Sequence, residues 1–175
     1  MIKFKRILFP TSLSPTESLA LDYAISLALQ HEAALSLVHV VEDHDFNSLG
    51  IPGYLPGVVE LKSRHQDKED YAMKRLHDLI SPQLSRQLDM EEMLAKGKPY
   101  GEILRIAKER DVDLIVIPSH RARGHRHRHL GSTAERVVGS ALCPVLVIRQ
   151  RASILADGDA PATLSASVRR YDFCA

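Results

Sequence analysis

Apolar and polar positions along the chain follow two alternating rhythms. Short apolar runs recur at Phe4–Pro10, Ala34–Val41, Asp113–Ile117 and Val145–Ile148. Such runs, rich in β-branched residues, predict strands buried on both faces of a sheet. Met90–Ala95 is a weaker run, and its paired acids Glu91 and Glu92 suit a sheet edge, where charge deters stray pairing. Between the runs the rhythm changes to the helical i, i+3, i+4. Ala20, Tyr23, Ala24, Leu27 and Ala28 predict the buried face of a helix ending near Gln30. Ile103, Leu104, Ile106 and Ala107 predict a shorter helix, entered through Gly97-Lys98-Pro99 and closed near Asp111. Val58–Ile80 reads as a helix whose charged stretch Arg64–Asp70 is a solvated face, with Ser81-Pro82 ending or kinking it.

Local chemistry marks the helix starts. Ser14-Pro15-Thr16-Glu17 and Ser132-Thr133-Ala134-Glu135 both have the serine-to-glutamate spacing of a capping box. They predict Ser14 and Ser132 as N-caps, with Pro15 at the first helical position. The second of these helices ends near Cys143-Pro144.

Strand and helix therefore alternate through the chain, which predicts a five-stranded parallel sheet with helices on both faces. In the strand order 3-2-1-4-5 the order reverses beside strand one, and ligands bind there, outside the strand carboxyl ends. That crevice would lie between Pro10-Thr11-Ser12 and the loop from Pro118 onward. The segment Glu42–Gly57 holds two prolines and three glycines and is long for a connection, which marks it as functional or mobile.

Composition changes the picture little. A chain of 175 residues with 45% hydrophobic and 26% charged residues is expected to form one domain. We expect that domain over residues 1–149, with 150–175 a flexible tail. The net charge is +1, which excludes a polyanion binder working by bulk charge. Two cysteines, Cys143 and Cys174, make no disulfide framework, and no apolar run suits a membrane span or a signal peptide. The expected location is the cytoplasm.

Charge is instead local. Ser119–Leu130 carries four arginines, four histidines and no acid, and it leads into a helix start, a common anion-binding device. His125, His127 and His129 alternate with Arg126 and Arg128. Three imidazoles on one side of an extended chain suit Zn²⁺, Ni²⁺ or Cu²⁺, but the neighbouring arginines repel a cation, so we expect no metal site. His39, inside a strand, is expected to be a hydrogen-bonded core residue. No serine, cysteine or carboxylate constellation for catalysis stands out, and the basic loop lacks the aromatic residues of a nucleic-acid binder. Binding rather than turnover is the expectation.

Together these residues resemble the universal stress protein family. The matching pieces are Ile7-Leu8-Phe9-Pro10-Thr11 with Ser14-Pro15, His39-Val40, Gly97 with Pro99 and Ile103, Asp113–Ile117, Gly131-Ser132 with Ala134–Val137, and Cys143–Val147. The resemblance implies a Rossmann-like fold of the adenine nucleotide alpha hydrolase-like type and a homodimer. The dimer would form through the apolar edge strand Val145–Ile148. Some members bind ATP through a loop Gly-x-x-Gly, nine residues, then Gly-Ser/Thr. Here Pro118 and Arg121 stand at the two leading glycines, while the nine-residue spacer Ala122–Leu130 and Gly131-Ser132 are kept. Ser12 stands where those members usually carry an aspartate. The resemblance thus implies a site built from Pro10, Thr11, Ser12, Val40, Pro118, Ser119, His120, Arg121, Arg123, Gly131, Ser132 and Thr133. Its ligand would be ATP or AMP with Mg, or another small anion. Proline offers a phosphate no N–H, and Arg121 disfavours a positive φ, whereas Arg121 and Arg123 add charge. Weak or absent ATP binding in the usual pose is the expectation. Slow ATP hydrolysis and metal binding by the histidine loop stay as alternatives.

Overall fold

The computed structural model describes residues 2–42, 68–119 and 130–149. Five strands, β1 (Arg6–Thr11), β2 (Ala34–Val41), β3 (Met90–Lys96), β4 (Leu114–Ser119) and β5 (Val145–Arg149), form one sheet. Every pairing is parallel and the order is β3-β2-β1-β4-β5, as expected. A 3-10 turn at Pro15–Glu17 leads into α1 (Ser18–His31). Residues 68–77 form the described part of α2, followed by the single turn α3 (Pro82–Ser85), α4 (Pro99–Glu109) and α5 (Ser132–Ser140). Among the described residues no helix is long and apolar enough to cross a membrane. The Glu42–Gly57 loop beyond Glu42, the first part of the Val58–Ile80 helix and the 150–175 tail lie outside the described residues.

The two-residue period of a strand sorts the core into two layers. Ile7, Phe9, Leu35, Leu37, Leu114 and Val116 face one way, against Ala20, Ala24 and Ala28 of α1 and Leu76 of α2. Leu8, Val38, Ile115 and Ile117 face the other way, against Ile103 and Ile106 of α4 and Ala134 and Val137 of α5. Helices thus cover both faces. The starts of the two central strands are tied together by Asp113, whose carboxylate accepts from the Lys5 N–H at 2.8 Å and the Arg6 N–H at 3.3 Å. The charged edge strand also matches expectation, with Glu91 paired to Arg110 and Glu92 to His77.

Two local expectations are corrected and one is extended. The buried stripe of α1 is Ala20, Leu21, Ala24, Ile25 and Ala28, and Tyr23 is 49% exposed. The alanines let the helix approach the sheet, Leu21 and Ile25 fill one flank, and the Tyr23 side of the helix turns to water. The α2 helix ends before Ser81-Pro82, as expected, and this pair also begins a new helical turn, in which the Ser81 Oγ accepts from the Leu84 N–H. Finally, Ser132 is the first residue of α5 and not its cap. Gly131 is the N-cap, at φ 90° and ψ 140°, a backbone conformation that is strained for any residue with a Cβ. Glu135 still reaches back, but to the Leu130 N–H at 3.2 Å, two residues before the cap that was expected.

Candidate functional site

β1 and β4 lie side by side in the middle of the sheet, yet they pair only at Ile7↔Leu114 and Leu8↔Ile115. β1 and β2, by contrast, pair along the whole of Arg6–Thr11. Proline explains the difference. Backbone groups on a strand point alternately to its two neighbours. The Ile115 N–H donates to Pro144 on the β5 side, so Val116 and Pro118 present their nitrogens toward β1. The Lys5 carbonyl accepts from Ala34 on the β2 side, so Leu8 and Pro10 face β4. The rung after Leu8↔Ile115 would need N–H donors from Pro10 and Pro118, and neither has one. The ladder stops there, at the strand carboxyl ends where this topology predicts a crevice. Pro118 and Ser119 remain paired on their other side with Ile148 and Arg149.

The loop after β1 is closed by Glu17. This residue was expected to complete a capping box with Ser14, but its side chain turns inward and is 4% exposed. Its carboxylate accepts from the Thr11 Oγ1 at 2.5 Å, the Ser12 N–H at 3.0 Å and the Ser12 Oγ at 2.6 Å. Thr11 Oγ1 in turn accepts from the Leu13 N–H at 2.9 Å, and Leu13 sits at φ 62°. A buried carboxylate is costly without donors, and here the donors come from the loop that it holds. Ser14 keeps a smaller role, accepting from the Thr16 N–H.

His39 is hydrogen-bonded, as expected, but it is half-buried at the end of β2 and not in the core. Its Nδ1 lies 2.9 Å from the Thr11 carbonyl. A carbonyl only accepts, so Nδ1 carries the proton and, in the neutral ring, Nε2 carries the lone pair. His39 also faces an open cleft of about 470 Å³. Ser12 and Leu13 form one wall of it, His39, Val40, Val41 and Glu42 the floor, and Lys68, Tyr71, Ala72 and Arg75 of α2 the opposite wall.

Of the residues singled out in the sequence, Ser12 and Val40 meet in this cleft. Pro10 and Thr11 lie buried at the end of β1, and Pro118 and Ser119 are buried at the end of β4. Gly131, Ser132 and Thr133 open α5, which Arg136 fastens to α4 by stacking 4.6 Å over the Tyr100 ring. His120, Arg121 and Arg123, and the metal candidates His125, His127 and His129, lie outside the described residues. Among the described residues no group of histidines, cysteines and acids is placed to hold a metal. Sequence reasoning missed Glu17 as the loop's anchor, and it missed α2 as a wall. A signal for the wall was present: Lys68, Tyr71 and Arg75 recur at i, i+3 and i+7, one face of a helix.

The profile of the universal stress protein family matches residues 3–149. The universal stress protein YxiE of Bacillus subtilis is 31% identical over 148 residues, covering 83% of this chain and 99% of that protein. The universal stress protein MJ0577 of Methanocaldococcus jannaschii is 26% identical over 160 residues, covering 87% of this chain and 99% of that protein. Its solved structure superposes with a TM-score of 0.66 over 87% of this chain and all of that one, at 25% identity. The solved structure of the universal stress protein UspA from Lactobacillus plantarum superposes with a TM-score of 0.65, at 27% identity, over 85% of this chain and 100% of that one.

Proposed function

The chain belongs to the universal stress protein family, and on that premise we propose that it acts as a dimeric binding module of the stress response. It holds a small anionic ligand at the loops after β1 and β4 and does not turn one over. ATP is held weakly or not at all in the pose usual for the family's nucleotide-binding members. The observation that carries this reading is the position of Pro118. Its missing N–H lies on the β1 side, toward the crevice, so a donor is lost where a phosphate-binding loop begins. The buried acid of the region, Glu17, argues against turnover. Its oxygens accept from Thr11 and Ser12, which commits the carboxylate to holding the loop.

A second reading, an adenine-nucleotide binder with slow hydrolysis, is favoured by one feature. Gly131 opens α5 without a side-chain cap, which leaves first-turn N–H groups for a phosphate. Calorimetric titration with Mg-ATP, AMP and other phosphorylated metabolites separates the two. The proposal expects weak or undetectable Mg-ATP binding and no nucleotide carried through purification, as read by mass spectrometry. Tight Mg-ATP binding with phosphate release would establish the second reading.

The dimer is proposed to form through β5. This strand is at the sheet edge, and its Val145, Leu146 and Val147 are only partly covered. Val138 and Leu142 nearby are 45% and 90% exposed. An apolar sheet edge next to exposed apolar side chains suits a symmetric contact with a second copy.

A further inference from the structure

On the α1 side of the sheet, the flank beside β5 is left half-covered. Leu19, Tyr23 and Leu27 follow one another at i, i+4 and i+8, a single row along α1. Leu19 is 41% exposed, Tyr23 is 49% exposed and Leu27 is partly buried. α1 belongs to a β1-α1-β2 crossover between parallel strands, and such crossovers are right-handed. With Ala20, Ala24 and Ala28 against the sheet, that hand turns the row toward β4 and β5 and away from α2. β5 presents Leu146 and Ile148 to the same layer, and Leu146 is only partly covered. Among the described residues no helix packs on this layer beyond α1 on the β5 side.

We infer that residues 164–175 of the same chain cover this flank, with Leu164, Val168 and Tyr171 laid on Leu19, Tyr23 and Leu27. The chain leaves β5 at Arg149, at the end of the sheet where α1 begins, so the tail starts beside the row. Residues 150–163 reach up to roughly 45 Å when extended, more than twice the ~21 Å length of α1. Leu164, Val168 and Tyr171 recur at i, i+4 and i+7, and Ala175 continues the series at i+11. That is the spacing of one apolar side of a helix, and Arg169 and Arg170 fall off it, toward water. From Leu164 to Tyr171 such a row is about 11 Å long, against about 12 Å from Leu19 to Leu27. The second copy proposed for β5 meets the strand edge and Val138 and Leu142, beside the opposite layer. It leaves the α1 flank to the tail.

The test keeps the whole chain and reads it by amide hydrogen exchange and thermal melting. Amides of residues 166–173 should exchange about tenfold or more slowly than the same sequence in an unstructured peptide. Val168→Asp with Tyr171→Asp should abolish that protection and lower the melting temperature by about 3 °C or more. Ala166→Asp, opposite the apolar row, should leave both in place. On the other partner, Leu19→Ser with Tyr23→Ser removes two exposed side chains from α1 and should release the same tail amides. Added to the Val168→Asp/Tyr171→Asp variant, that pair should lower the melting temperature less than it does in the unaltered chain. Tail amides that exchange as fast as the peptide in the unaltered chain would overturn the inference. Protection that survives Leu19→Ser/Tyr23→Ser would overturn it too, by placing the tail elsewhere. Protection lost on dilution would put the tail on a second copy and overturn docking within one chain.

Discussion

The nitrogen of Pro118 is directed to where the Pro10 carbonyl would accept the next hydrogen bond of the β1–β4 ladder, and a proline cannot supply it. Pro10 lacks the matching donor in the other direction. The β1–β4 ladder is therefore ended by two residues that cannot continue it, at the place where the strand order reverses. A feature of topology and a feature of side-chain chemistry coincide there.

Pro118→Ala returns one donor. The new amide at that position should be protected from hydrogen exchange, because the Pro10 carbonyl is in line to accept it. Stability should change by less than about 1 kcal/mol, since a new hydrogen bond of similar size is offset by the greater freedom of the unfolded chain once the proline is gone. Rapid exchange of that amide, in a variant shown to be folded, would mean that the strands part for another reason.

Glu17 changes what the absence of an aspartate at position 12 means. The carboxylate has not been lost from this loop. It enters from Glu17, with Ser12 as its donor at 2.6 Å. Ser12→Asp should therefore replace a hydrogen bond to a charged group by a contact between two carboxylates. We expect a loss of about 2 kcal/mol or more in urea unfolding. Two carboxylates so close raise each other's proton affinity in the folded state. The deficit should accordingly be largest at neutral pH and shrink as the pH falls and one of them takes a proton. Adding Glu17→Gln to Ser12→Asp should recover most of the loss. An additive effect of the two changes in that cycle would show that Ser12 and Glu17 do not interact.

Legibility in the sequence followed the range of the interactions. β2 was bounded at Ala34 and Val41 from its apolar run alone, and the β-α alternation carried the sheet order. Those features depend on the period of a single element and on its burial on both faces. Glu17 was misread because a serine three residues before a glutamate is a local signal, and here a tertiary demand overrode it. The hydroxyls of Thr11 and Ser12, turned inward by the end of β1, offered the carboxylate more than the Ser14 backbone did. Tyr23 was placed on the wrong side of α1 for a related reason. The i, i+3, i+4 pattern permits two overlapping stripes, and the bulk of Leu21 and Ile25 decided between them. Lys68 of the α2 wall was read as part of a solvated face, Arg64–Asp70, because its charge acquires a direction only once β2 lies opposite.

For the dimer, Val147→Lys places a charge in the middle of β5. The Val147 side chain is partly buried against the α5 layer, and its backbone belongs to the edge of the sheet. If two copies meet along this strand, the lysine should shift sedimentation toward the monomer with the fold retained. The cost at the interface should be several times the cost to the subunit, because the stem of a half-exposed lysine can reach water in a monomer but not in a packed dimer. A folded variant that still sediments as a dimer would move the contact elsewhere.

The nucleotide question can be put as a repair. The loop after β4 keeps its nine-residue spacer and its Gly131-Ser132 end, and Gly131 sits at φ 90°, a conformation that glycine accepts readily. Two entry positions differ from the nucleotide-binding pattern, and Pro118→Gly with Arg121→Gly would return both the backbone donor and the freedom to turn. The position after β1 needs a paired change, because an aspartate at 12 clashes electrostatically with Glu17. Ser12→Asp must come with Glu17→Ser, which moves the single carboxylate of the loop from below Ser12 to its surface. The four changes together should raise Mg-ATP affinity at least tenfold, or about 1.4 kcal/mol. The same set with Glu17 left in place should gain less and melt lower. Tight binding by the unaltered chain would show instead that Arg121 and Arg123, with the open start of α5, already compensate for the lost glycines. No gain in the four-fold variant, with its fold intact by thermal melting, would show that the site has moved away from phosphate binding at more positions than these.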